Sequence, residues 1–215
     1  MVNITFPDGN IKAFENSLNG IDAAKSISDG FARSCVAMEL DDNLVDLNTV
    51  IDHDAKIRFV TSKDPDALDI LRHSAAHVMA QAILRLNKDA KLTIGPAVEN
   101  QFYYDIDMDP ISEDDFPKIE AEMKKIIKEK LPIRRRVVHK AEALEFYKNE
   151  PYNLEMISDL EDETISFYEQ GEFTDLCLGP HVQHSGFVNN INLIKVSGAY
   201  WRADHSKPQL KRIYG

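Results

Sequence analysis

Two histidines four residues apart, His73 and His77, and a later segment Asp175-Leu176-Cys177-Leu178-Gly179-Pro180-His181 are the residues of this chain best suited to chemistry. On a helix, a spacing of four stacks two imidazoles one turn apart and points them the same way. Their neighbours on that face, Ile70, Ala76, Ala80 and Leu84, are apolar and uncharged. Gly179-Pro180 excludes a helix between Cys177 and His181, so that pair sits on a turn, which can converge on a helix face. Three chemistries fit. His73, His77, Cys177 and His181 are four nitrogen and sulfur donors, a zinc-type set. A histidine acting as base or orienting a water, beside Asp175 or Cys177, would serve hydrolysis. Cys177 activated by His181 or His73 would be a nucleophile, the weakest of the three because nothing marks a thiolate. Packing alone, with the cluster pinning a loop to a helix, is the non-functional alternative.

The elements that must position these residues follow from pattern. Leu68, Leu71, Ala75, Val78, Ala82 and Leu86 recur at helical steps, which predicts a helix over residues 66 to 86. Asp64 is placed to cap it, Pro65 suits its first position, and Asp66 and Asp69 favour the positive end of its dipole. Beyond it the pattern predicts strands over 91–96 and 101–106, a helix over 112–130 opened by Ser112 and Asp115, and a strand over 133–139. Helices over 141–150 and 154–160 follow, then a strand over 164–168 and extended segments over 187–189 and 191–197. Ahead of it, Val2, Ile4 and Phe6 alternate with polar residues, Pro7-Asp8-Gly9 makes a turn, and Ile11, Ala13 and Phe14 return as a hairpin. A helix over 21–34 and strands over 35–40, 44–48 and 57–61 complete a β-grasp, ubiquitin-like order. Residues 1–62 are therefore expected as a small β-grasp domain, a binding module or spacer, and 63–215 as a larger domain without a regular βαβ beat. The fold class is α+β.

Composition narrows the function. The chain has 215 residues, 43% of them hydrophobic, enough for a core. No apolar run is long enough to span a bilayer, and the opening residues do not form a signal peptide. Cys35 and Cys177 stand in unrelated surroundings, so a disulfide framework is not expected and the cytoplasm is. The net charge of −11 argues against nucleic acid, but charge is uneven. Lys124, Lys125, Lys128, Lys130 and Lys140 flank Arg134-Arg135-Arg136, a triplet expected to contact an RNA backbone.

Ile4-Thr5-Phe6-Pro7-Asp8-Gly9 looks like the opening of a TGS domain. His73-x3-His77 with Cys177-x-Gly-Pro-His181, followed by Ser197-Gly198-Ala199-Tyr200-Trp201-Arg202 and Arg212-Ile213-Tyr214-Gly215, is similar to the N-terminal half of the bacterial threonyl-tRNA synthetase family. The likeness covers essentially the whole chain. It implies a TGS domain followed by an editing domain that hydrolyses serine wrongly attached to threonine tRNA, with His73, His77, Cys177 and His181 catalytic and Gly95, Tyr104, Asn153 and Asp175 holding substrate. A related domain in alanyl-tRNA synthetases binds zinc through the same motif halves, whereas the threonyl site is understood to work without metal. The resemblance thus implies no cofactor here; ATP, Mg and Zn, and a homodimer interface, belong to a catalytic core that would follow residue 215. Two positions depart from the family: Ala203 stands where relatives usually carry Gly, and Asn153 where many carry a Lys thought to line the site. A zinc-dependent hydrolase of the alanyl type and a non-catalytic tRNA-binding adapter are the alternatives.

Overall fold

The computed structural model describes residues 1–215, which divide into two compact units, Met1–Leu71 with Gly179–Gln183, and Arg72–Leu178 with His184–Gly215. In the first unit the chain runs β1 (Val2–Thr5), β2 (Ile11–Phe14), β3 (Leu18–Asn19), α1 (Gly20–Lys25), α2 (Asp29–Ser34), β4 (Cys35–Leu40), β5 (Asn43–Val45), β6 (Val50–Ile51) and β7 (Ala55–Thr61). The main sheet has the order β2-β1-β7-β4-β5, with β1 and β7 parallel at its centre and hairpins on both sides. This is the expected β-grasp arrangement. Ile4, Met38, Leu47 and Ile51 are fully buried within its core.

The single helix expected over 21–34 is two. Asn19 caps α1 through a hydrogen bond from the Asp22 amide, and Ser28 caps α2 through one from Phe31. Two cap residues so close together restart the helix, because a cap holds extended backbone that a continuous helix cannot include.

The long helix, α3, spans Ala67–Leu86. Asp64 does not cap it: its carboxylate accepts from the backbone and hydroxyl of Thr61, closing the turn that precedes the helix. Every residue from Ser74 to Ile83 is buried, while Leu68 at one end of the expected stripe is 53% exposed. A helix enclosed on all sides needs small residues, and Ala75, Ala76, Ala80 and Ala82 supply them.

The second unit continues with β8 (Lys91–Leu92), β9 (Ala97–Val98), β10 (Gln101–Asp107), α4 (Phe116–Glu129), β11 (Ile133–His139), α5 (Lys140–Phe146), α6 (Pro151–Asp159), β12 (Thr164–Gln170), β13 (Phe173–Leu176), β14 (Lys195–Tyr200) and β15 (Gln209–Tyr214). One sheet has the order β14-β15-β10-β8, with β9 on β10, and a second is β11-β12-β13. The strand expected over 91–96 stops at Leu92, and β15, which periodicity did not reveal, pairs with both β10 and β14. Ser112 does open a turn as expected, its amide donating to Asp115. Buried Gln81 on α3 and Gln170 at the end of β12 join side chain to side chain, tying α3 to the smaller sheet.

Candidate functional site

The β11-β12-β13 sheet carries the site on one face. Its strands are antiparallel, with Arg135 opposite Tyr168 and Tyr168 opposite Asp175. Directly opposed residues share a face, so these three form one row across the sheet. Val137 and Ser166 begin the next row, and the Cys177 amide donates to the Ser166 carbonyl. α3 supplies the two histidines. Their rings meet edge to face at 5.3 Å, and Cys177 Sγ lies 3.3 Å from His73 Nε2. His77 Nε2 is 3.2 Å from Asp175 Oδ2, and the Tyr104 hydroxyl donates to the same oxygen at 2.5 Å.

Burial sets the protonation of this group. Burial first, and then the neighbouring His73, hold His77 well below the ordinary histidine range. Burial pushes the Asp175 carboxyl up to about 7, against hydrogen bonds from Tyr104 and the Leu176 amide that favour the carboxylate. The Tyr104 hydroxyl is driven well above its usual value by burial and by the Asp175 charge, so it remains a donor. His77 and Asp175 therefore meet as a neutral imidazole beside a carboxyl near its midpoint rather than as a fixed ion pair.

These side chains open into a cavity of about 800 Å³. His73, His77, Asp175 and Cys177 are its chemistry-bearing residues, and Ile94, Val137, Met156, Leu160 and Leu178 give it apolar walls. Leu178 is 87% exposed at the rim of the cavity. Gly95 lines it too. A Cβ there would stand 2.1 Å from Cδ2 of Tyr104, so only glycine lets that ring reach Asp175. Three of the four expected catalytic residues, with Gly95, Tyr104 and Asp175, are thus brought together in the second unit.

His181 lies in the first unit, buried, its amide donating to Asp46 at 2.7 Å. Asn153, on α6, lines a separate cavity of about 330 Å³ with Tyr147 and the far side of Asp175. The ligand atoms of His73, His77 and Cys177 lie within 4.8 Å of one another, close enough to share a soft cation such as zinc. Such an ion would take the place of the hydrogen bond between Cys177 and His73.

Pattern reasoning missed the apolar walls and Arg202. Arg202 lines the cavity and is paired with Glu155 at 3.1 Å and Asp159 at 2.6 Å. Its backbone and that of Ala203 are left-handed, φ +54° and +57°. Glycine would adopt that conformation at less cost than the alanine present at position 203.

Comparison with known proteins matches two family models to the chain. Residues 2–61 match the TGS domain, and residues 165–214 match the threonyl and alanyl tRNA synthetase second additional domain. The whole chain is 61% identical to the threonine–tRNA ligase of Desulfatibacillum aliphaticivorans and 58% identical to that of Desulforapulum autotrophicum. This chain is a relative of the threonine–tRNA ligases. It spans 34% of the length of each of those two. The synthetase-type domain therefore has β12, β13 and the closing strands β14 and β15 as its matched portion, the part that contributes Asp175 and Cys177. No helix of the chain is long and apolar enough to cross a membrane.

Proposed function

We propose that this relative of the threonine–tRNA ligases hydrolyses the ester joining serine to a threonine tRNA, as the editing part of a larger ATP-dependent ligase working in the cytoplasm. The observation that carries the reading is the pair of hydrogen-bonded chains, Cys177 to His73 and Tyr104 to Asp175 to His77, side by side in one apolar-walled cavity.

The need for such a site is physical. A pocket built for threonine rejects serine, one methyl smaller, by only about 1–3 kcal/mol, so a second pocket must remove what the first lets through. His73, half-buried on a rigid helix, is positioned to orient a water. That water's oxygen bonds to the ester carbonyl carbon, the bond to the ribose oxygen breaks, and the departing ribose oxygen takes up a proton from the water to become a hydroxyl, releasing serine. In this reading Asp175, held by Tyr104, receives the serine ammonium, and the imidazoles of His73 and His77 form the wall that would exclude threonine's extra methyl. Because the ester is already activated, positioning and modest proton help suffice.

The test is release of serine and threonine from the two charged threonine tRNAs. Rapid loss of serine with threonine retained is expected, and equal hydrolysis of both esters would overturn the reading. The nitrogen and sulfur donors favour a zinc-dependent hydrolase as the second reading, which metal analysis decides.

A further inference from the structure

We propose that Arg135, alone of the arginine triplet, grips the phosphate on the 5′ side of the nucleoside whose ester is cleaved; this deepens the hydrolytic reading and rests on it. The observation is strand register. Alternation along β11 sends Arg135 and Val137 to the face that lines the cavity, and Arg134 and Arg136 to the opposite face. On that opposite face Arg136 is bound to Glu142 and lies 3.4 Å from Glu169. Arg134 stands directly across from Glu169 in the ladder. Neither is available to the cavity.

Arg135 differs in three ways. It is exposed at the cavity, it makes no ion pair, and it shares its row of the sheet with Asp175, two strands away. Two interstrand spacings put the two residues' backbones about 9.5 Å apart. With the acyl group held at Asp175, the ribose and its 5′ phosphate extend outward along that row toward the guanidinium. The other charged groups lining the cavity beyond the reaction centre are Asp162 and Arg202, and Arg202 is already neutralised by Glu155 and Asp159. The one uncompensated cation of the cavity is thus Arg135, a planar guanidinium of the kind that takes phosphate oxygens in pairs.

The experiment compares Arg135→Gln, Arg135→Lys and Arg134→Gln with the parent chain on two substrates: seryl-tRNA for threonine, and 3′-O-seryl-adenosine, which lacks the phosphate. Arg135→Gln should raise KM for the tRNA ester about tenfold at low salt with little change in kcat. It should leave the adenosine ester unaffected. The salt slope of tRNA binding should fall by about one counterion, Arg135→Lys should recover part of the loss, and Arg134→Gln should raise KM less than Arg135→Gln does. An equal effect of Arg135→Gln on both esters, or equal effects of Arg134→Gln and Arg135→Gln, would overturn the proposal while leaving hydrolysis intact. A parent chain that cleaves neither ester would sink the hydrolytic reading and this proposal with it.

Discussion

Asp175→Asn should remove the loss of stability that this carboxyl imposes as pH rises, and with it the proposed activity. In the native state burial holds the Asp175 carboxyl at about 7, against an ordinary value of 3.8. Between those values the folded chain keeps a proton there that the unfolded chain has released. Stability from this group is therefore present in acid and lost as pH rises toward 7. A shift of about three units corresponds to about 4 kcal/mol over that window. His77 works in the opposite direction. Its depressed value means the unfolded chain gains a proton below about 6.5 that the folded chain refuses, so its contribution is lost on acidification. Because His77 lies 3.2 Å from Asp175, parent and variant are compared in a His77→Gln background, which removes the opposing titration. Asparagine keeps an acceptor for the Tyr104 hydroxyl but turns an amide toward the Leu176 N–H, which costs about 1 kcal/mol. Urea unfolding at pH 5 and pH 8 measures the difference. The variant's deficit relative to the parent should shrink, or become an advantage, at the higher pH. The same difference in stability at both values would refute the assignment of a buried, near-neutral Asp175.

His73→Ala should slow release of serine from seryl-tRNA by roughly 10²–10⁴-fold, and full activity in a single-turnover assay would remove His73 from the chemistry. The purified chain should hold no stoichiometric zinc; one tightly bound ion per chain, with activity lost to a chelator, would favour the zinc-dependent hydrolase. Ala203→Gly should raise stability by up to about 1 kcal/mol in urea unfolding, because residue 203 has a left-handed backbone, and a loss of stability would show that its methyl packs usefully.

Much of the site was legible because its residues repeat at the periods of their elements. His73 and His77 fall on one face of α3, and Asp175 and Cys177 alternate onto one face of the strand that precedes the turn. The arginine triplet resembled one basic patch, yet a period of two splits it between two sheet faces once residues 133–139 are known to be a strand. Tyr104 could not be recognised as the partner of Asp175 from pattern, since 71 positions separate them. Gly95 was expected to hold substrate, but its absent side chain makes room for the Tyr104 ring. The break between α1 and α2 went unseen because Ile21, Ala24, Ile27 and Phe31 keep helical spacing across it. The apolar walls came from α6, β11 and loops, where single leucines and valines carry no signature.

The tie between Gln81 and Gln170 spans 89 positions, and that between His73 and Cys177 spans 104. During synthesis, at about 5–20 residues per second, α3 leaves the ribosome several seconds before the strands that enclose it. A helix of alanines, valine and methionine with no finished partner is a natural client for a holding chaperone during that interval. The groups of the proposed site meet only after most of this chain has been made, so a half-made chain would lack the proposed hydrolysis.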